Sequence, residues 1–338
     1  MARALVTGAT GLVGSHIAER LSESGWDVRA LVRRESRWLK SIGVEQTIGD
    51  VLDAPSFAAA ARGCDTIFHT AAAITESGGW ETYRRLNVDG TRAAIDAAAN
   101  AGARLLHLSS VAVYGPEGRY SLGGKKTSED SPLAPVPEGA FYARSKRESE
   151  QLVLDAHAAG RIWATAVRPT VIYGRRDRQC VPRAARLLQR GFAPLIGGGM
   201  STLSLVHAAN VADGAILAAR SEIAGGRVYN LANDFDVTVR DFFLLGARGL
   251  GRSVHFVPIP LSLAGAAVRA FKAATRLFTG GRWSAVSNAS IRMLTKDNPF
   301  TSDRARRELG WSPRVRPEEG IPDAFRWWRE HSGARDER

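Results

Sequence analysis

The segment Ala4-Leu-Val-Thr-Gly-Ala-Thr-Gly-Leu-Val-Gly-Ser15 runs a short apolar strand into glycines at positions 8, 11 and 14 and then into a helical pattern. A strand that enters a helix through a tight glycine turn aims the helix's free N–H groups and positive dipole end at an anionic group. Any Cβ at the crossing would hold a pyrophosphate away. Gly8, Gly11 and Gly14 therefore predict a dinucleotide cradle, provided that the turn opens a βαβ series, because loops also use glycine for positive φ.

That series follows. Apolar runs at residues 4–6, 28–32, 66–69, 105–108 and 164–167 are separated by alanine-rich segments of helical period. Such alternation builds a parallel sheet with helices on both faces. The expected fold is α/β, a Rossmann doubly wound parallel sheet with a smaller interleaved C-terminal substrate domain. Residues 203–207 and 227–231 read as later strands returning toward the sheet. The dinucleotide-binding domain is thus expected over 1–174 with 203–232 returning to it, and the substrate-binding region over 175–202 and 233–330. Residues 116–139, rich in glycine, proline and charge, read as a long surface loop. At 338 residues and 44% apolar content, the chain has enough material for a full core and an appendage.

No charged and apolar leader precedes the first strand and no run of about 18 apolar residues occurs, so neither a signal peptide nor a membrane span is expected, and the default location is cytoplasmic. Cys64 and Cys180 are the only cysteines, which excludes a disulfide framework and offers no metal-ligand spacing. The net charge of +12 comes from arginines scattered along the chain. With no basic-aromatic module among them, they read as a compositional bias rather than a nucleic-acid footprint.

Asp50-Val51 follows an expected third strand, where a carboxylate can accept from an adenine amino group or serve as an ordinary turn aspartate. At the end of the second strand, where an NAD enzyme places an acidic side chain against the ribose 2′-OH, stand Arg33 and Arg34. Two guanidiniums favour a 2′-phosphate through charge-assisted hydrogen bonds, so NADP is expected ahead of NAD.

Tyr142 and Lys146 are four apart at the start of a helical run, which places them on one face with Cβ atoms about 6 Å apart. An ammonium beside a phenol stabilises the phenolate and tunes it to exchange a proton with a carbonyl or alcohol. The preceding strand ends in Ser109-Ser110, at the carboxyl edge where open α/β sheets bind ligands. Ser110 is the expected partner of the reacting oxygen, with a turn role as the alternative for either serine.

The glycine turn, Asp50-Val51, His69-Thr-Ala-Ala-Ala73, Asn87-Val-Asp-Gly-Thr91, Ser109-Ser110, Tyr142 with Lys146, and Arg168-Pro-Thr-Val-Ile-Tyr-Gly174 together resemble the extended short-chain dehydrogenases/reductases. The similarity runs essentially end to end, closing with Asp303-Arg-Ala-Arg-Arg-Glu-Leu-Gly-Trp-Ser-Pro313. Within that family, Val28-Arg-Ala-Leu-Val-Arg33 and Gly63-Cys-Asp-Thr-Ile-Phe-His-Thr70 resemble dihydroflavonol and cinnamoyl-CoA reductases. Leu205-Val-His-Ala-Ala-Asn-Val-Ala212 and Val257-Pro-Ile-Pro-Leu-Ser-Leu263 resemble the 3β-hydroxysteroid dehydrogenase branch. The resemblance implies Tyr142 as acid/base, Lys146 as its partner and ribose anchor, Ser110 as carbonyl orienter and Asn87 as a cofactor-side support. It extends the expected cofactor contacts to Thr10, Leu12, Val13, Thr70, Ala71, Ala72, Pro169 and Val171, and a homodimer is common in the family.

Nucleotide-sugar 4,6-dehydratases carry an Asp-Glu pair directly after the catalytic hydroxyl, where this chain has Val111-Ala112. UDP-sugar epimerases usually place an Asn where Val171 stands and a diphosphate-binding Arg where Leu203 stands. The expected activity is therefore an NADP-dependent interconversion of secondary alcohol and ketone on a hydrophobic small molecule, steroid-, flavonoid- or terpenoid-like. The alternatives are a nucleotide-sugar epimerase or reductase and a non-catalytic cofactor-sensing module, against which the complete Ser-Tyr-Lys set argues.

Residues 261–278 place Leu261, Ala264, Val268, Phe271 and Phe278 on one helical side and Arg269, Lys272 and Arg276 on another. A basic amphipathic helix of this kind is a core-facing helix with a solvated edge, a hydrophobic lid or a peripheral membrane contact. Arg175, Arg176 and Arg178 are read as surface charge or as a clamp for an acidic substrate group.

Overall fold

The computed structural model of the chain describes residues 2–74, 79–115, 126–232, 235–263 and 297–332. Strand β1 (Arg3–Thr7) is buried on both faces because helices cover the sheet on either side. Ala4 and Val6 join one core and Leu5 the other, as the two-residue period of a strand requires. The chain continues through α1 (Leu12–Glu23), β2 (Asp27–Val32), α2 (Arg37–Ser41), β3 (Glu45–Ile48), α3 (Ala54–Ala61) and β4 (Thr66–His69). It then forms α4 (Trp80–Tyr83), a π-helical turn (Arg84–Asp89), α5 (Gly90–Ala101), β5 (Arg104–Leu108), a 3-10 turn (Val111–Tyr114), α6 (Phe141–Ala158) and β6 (Ala164–Pro169).

The C-terminal half contributes β7 (Val171–Tyr173), α7 (Cys180–Gln189), β8 (Phe192–Ile196), β9 (Leu205–His207), α8 (Ala208–Arg220), β10 (Val228–Leu231), α9 (Val239–Leu250), β11 (His255–Ile259), α10 (Asp303–Leu309) and α11 (Pro317–His331). Among the described residues the main sheet has seven strands in the order β10-β6-β5-β4-β1-β2-β3, every pair parallel. This is the expected doubly wound Rossmann sheet. Its order reverses between β1 and β4, so the carboxyl ends of those strands open a crevice at the glycine turn.

The first core lies on the α1 and α8 side of the sheet and the second on the α3, α5 and α6 side. A third packs α7, α9 and α11 around Phe242, Phe243, Ile321 and Phe325, and forms a separate C-terminal region for substrate. Gly246 and Gly249 allow the close approach of α9 to α11, since a Cβ at Gly249 would lie 2.3 Å from Pro322 O.

The two later strands part company. Residues 228–231 return to the main sheet beside β6, as expected. β9 does not, and pairs instead with β7 in its own two-stranded ladder. Pro169, which has no N–H to donate, ends β6; β7 leaves the sheet there and carries β9 with it. β8 and β11 form a second two-stranded ladder.

Candidate functional site

The glycine turn is built for close approach. Gly8 has φ +69°, and a Cβ there would lie 2.8 Å from both Ala71 N and Thr70 Oγ1. A Cβ on Gly14 would lie 2.3 Å from Gly8 O. Gly11 N donates to Gly8 O at 2.8 Å, and Gly11 begins α1 with no side chain capping its first N–H groups. An uncapped helix start beside a turn with no room for a Cβ at Gly8 or Gly14 fits a dinucleotide pyrophosphate. Thr10 is exposed and Leu12 half-buried at this turn, while Val13 turns its side chain into the core. Across the crevice, Thr70 fastens the end of β4 to β1 by donating its hydroxyl to Thr7 O at 2.7 Å, which fixes Ala71 beside Gly8, with Ala72 next in the chain.

Farther along the crevice, Asp50 accepts from Leu52 N at 2.9 Å and so closes its own turn, with Val51 beside Gly90. Arg33 and Arg34 lie exposed just beyond β2. Asn87 lies elsewhere than the open crevice. It is 1% exposed, and its amide is spent on protein: Oδ1 accepts from Ala73 N at 2.7 Å, while Nδ2 donates to Ala73 O and to Ser145 Oγ. The π-helical turn delivers it there, tying the cradle segment to α6. Ser145 in turn donates to Tyr142 O.

Tyr142 and Lys146 stand one turn apart on α6, as their spacing predicts. Lys146 is 3% exposed and its Nζ donates to Leu108 O at 2.7 Å, which brings the ammonium to the carboxyl end of β5. Burial strips its hydration and pushes it down to about 8. Tyr142 is half-buried, its ring edge-on to Tyr83 at 6.3 Å. Ser110 caps the 3-10 turn by accepting from Ala112 N at 3.1 Å, which leaves its hydrogen to donate. Val111 and Ala112, directly after that hydroxyl, are buried and apolar. Pro169 is buried at the end of β6 and Val171 is exposed beyond it.

Beneath these groups lies a polar layer that sequence reasoning did not single out. His69 and His107, register partners on β4 and β5, stack at 5.9 Å. His69 Nδ1 lies 3.0 Å from Thr7 Oγ1, and His107 Nε2 lies 3.2 Å from Ser149 Oγ on α6. Burial, reinforced by the nearby Lys146 ammonium, pushes His69 down to about 3 and His107 well below its ordinary range. Also unforeseen is the buried pair Arg168–Glu150, bidentate at 2.8 and 2.5 Å, with Tyr114 OH accepting from Arg168 and donating to Asn230. Glu150 and Arg168 are 18 residues apart on different elements, so no local spacing signals the pair.

Of the arginines read as surface charge or as a clamp, Arg175 forks onto Asp323 of α11 and Arg176 bonds Ser15 and Glu19 of α1, so both guanidiniums are held by protein carboxylates. Leu203, which stands where UDP-sugar epimerases usually place a diphosphate-binding Arg, is 2% exposed in the C-terminal core. Residues 264–278 of the expected amphipathic helix and 116–125 of the expected loop lie outside the described residues.

The NAD dependent epimerase/dehydratase family model matches residues 4–232. A 4-hydroxy-2-methyl-3-oxo-4-farnesyl-3,4-dihydroquinoline-1-oxide ketoreductase of Stigmatella aurantiaca is 31% identical over 327 residues, covering 96% of each chain. A 2-alkyl-3-oxoalkanoate reductase of Shewanella oneidensis is 27% identical over 336 residues, covering 95% of this chain and 85% of its own. The structure of DesIV, a dTDP-glucose 4,6-dehydratase of Streptomyces venezuelae, superposes with a TM-score of 0.71 at 26% identity over 98% of both chains. Both DesIV structures hold NAD, which overturns the expectation of NADP and favours NAD. The chain therefore belongs to the NAD-dependent epimerase/dehydratase family, the extended short-chain dehydrogenases/reductases, and is an NAD(P)-dependent oxidoreductase acting on CH–OH groups of a small organic substrate.

Proposed function

We propose that the chain is an NAD-dependent ketoreductase of apolar 3-oxo compounds, in the branch that resembles 3β-hydroxysteroid dehydrogenases. The observation that carries this reading is the end of β5, where Lys146 Nζ donates to Leu108 O and Ser110 follows with buried Val111 and Ala112 behind it, while Tyr142 stands one turn before Lys146 on α6. Proton exchange with a carbonyl is provided for, and the acid and base for eliminating water are not. In this reading residues 1–174 and 203–232 hold the cofactor and residues 175–202 and 233–330 the substrate.

Gly8, Gly11 and Gly14 would hold the pyrophosphate, Ala71 and Ala72 the opposite wall. Bound nicotinamide supplies the hydride to the carbonyl carbon, or takes it up in the reverse direction. Ser110 O–H donates to the carbonyl oxygen and orients it. Tyr142 gives its phenolic proton to that oxygen as charge develops, and the Lys146 ammonium, held by Leu108 O, stabilises the phenolate left behind. Asn87 contributes through Ala73 and Ser145 rather than by touching the cofactor. The names of both relatives carry a 3-oxo group on an alkyl-rich molecule, which supports the substrate class.

A second reading, nucleotide-sugar epimerisation or reduction, is supported by the family model and by the likeness to DesIV. Two readouts side by side separate the two: NADH oxidation with 2-alkyl-3-oxoalkanoates and ketosteroids, and chromatographic detection of products from UDP- or dTDP-sugars incubated with NAD, because epimerisation consumes no net NADH. Turnover is expected on the apolar ketones, and Tyr142→Phe should lower it at least ~10²-fold with NAD affinity unchanged. Turnover confined to the sugar nucleotides would replace the first reading by the second.

A further inference from the structure

The chain's positive charge is not spread as evenly as its arginine content suggests. Residues 178–212 and 242–296 together hold twelve Lys and Arg and no Asp or Glu. The whole chain has 46 basic and 34 acidic residues, so the rest is balanced at 34 of each and these two stretches carry the entire +12.

Among the described residues, the first stretch contains β8 and residues 242–263 of the second contain β11, and these two strands pair with one another. One face of that ladder, with Ala193 and Leu195, is buried against the C-terminal core. The alternate residues Phe192, Pro194 and Ile196 of β8 and Val257 and Ile259 of β11 point the other way. Phe192 is 39% and Val257 47% exposed, and Met200, Leu261 and Leu263 beyond the strand ends are 65%, 62% and 55% exposed. Leu261 lies against Gly197 at the end of β8, so the apolar surface is continuous with the ladder. Exposed Arg190 and Arg252 stand just before the two strands, and exposed Arg183 and Arg248 lie on the adjoining helices.

We infer that the β8–β11 face docks on an anionic lipid surface. An apolar patch with exposed guanidiniums just before both of its strands matches a bilayer interface, which takes up the side chains in its acyl boundary and the charges among its headgroups. A nucleic acid would satisfy the arginines and gain nothing from Phe192, Val257 or Leu261. A second copy on the same face would set like charges against each other. The inference does not depend on the substrate reading, because its readout is vesicle binding.

The test is flotation of the full chain, with NAD, on vesicles of phosphatidylcholine containing about 30 mol% phosphatidylglycerol, against phosphatidylcholine alone. The protein should float with the anionic vesicles and lose at least about tenfold in binding when salt rises from 0.1 to 0.5 M. Val257→Glu with Leu261→Glu, and separately Arg190→Glu with Arg252→Glu, should each weaken binding at least about tenfold. Both variants should keep the parent's Tm and NAD affinity. The inference is overturned if the parent fails to float, or if the Val257/Leu261 variant floats as well as the parent. It is overturned equally if that variant only breaks a dimer seen by sedimentation.

Discussion

Burial pushes the Lys146 ammonium from 10.5 down to about 8, while Leu108 O holds it at the end of β5. The folded state therefore gives up this proton before the unfolded chain does. By linkage, the residue's contribution to stability rises as pH increases from about 8 to about 10.5. Activity should run the other way, because the charge that steadies the Tyr142 phenolate is lost as pH rises through about 8. A pH profile of turnover at saturating NADH should fall above about 8 in the parent, and Lys146→Met should be slow throughout without that limb. A parent profile flat to pH 10 would remove the ammonium from the mechanism.

Between elements, the strongest fastening of the site is the pair that joins α6 to β6. Arg168 and Glu150 are 6% and 5% exposed, so deleting one partner leaves the other charged and dry. Glu150→Ala should cost about 3–5 kcal/mol and lower Tm by at least about 5 °C in a thermal melt. The exposed pair Arg161–Asp96 is the control: Asp96→Ala should change stability by no more than about 0.5 kcal/mol. Equal losses in the two variants would show that the buried pair does not brace α6. The glycine turn obeys a harder constraint, since Gly14 has carbonyl oxygen where a methyl would go.

Across the whole molecule, residues 175–176 lash the C-terminal region to the nucleotide-binding body. Arg176 is the single non-glycine residue of positive φ among the described residues, at 69°. Its guanidinium reaches Ser15 and Glu19 and lies 4.1 Å over Trp38, while Arg175 holds Asp323 of α11. The backbone conformation costs on the order of 1 kcal/mol, and the contacts offset it. Arg176→Gly removes the strain with the contacts, and Arg176→Ala keeps the strain alone. Thermal melts should therefore rank the parent above the glycine variant and the glycine variant above the alanine. A glycine variant as stable as the parent would mean that the strain outweighs the contacts.

The sequence by itself determined the parallel sheet, the cradle and the pairing of Tyr142 with Lys146, because each rests on local spacing: strand period, glycine where no Cβ fits, four residues per helical turn. Tertiary structure alone decided where distant segments meet. Asn87 spends its amide on Ala73 and Ser145, Arg168 finds Glu150, Arg175 and Arg176 turn to Asp323 and Glu19 rather than to a substrate, and β9 follows β7 out of the sheet. A side chain's partner is set by which surfaces packing brings within about 3 Å, and one-dimensional spacing carries that information only within a turn or a strand.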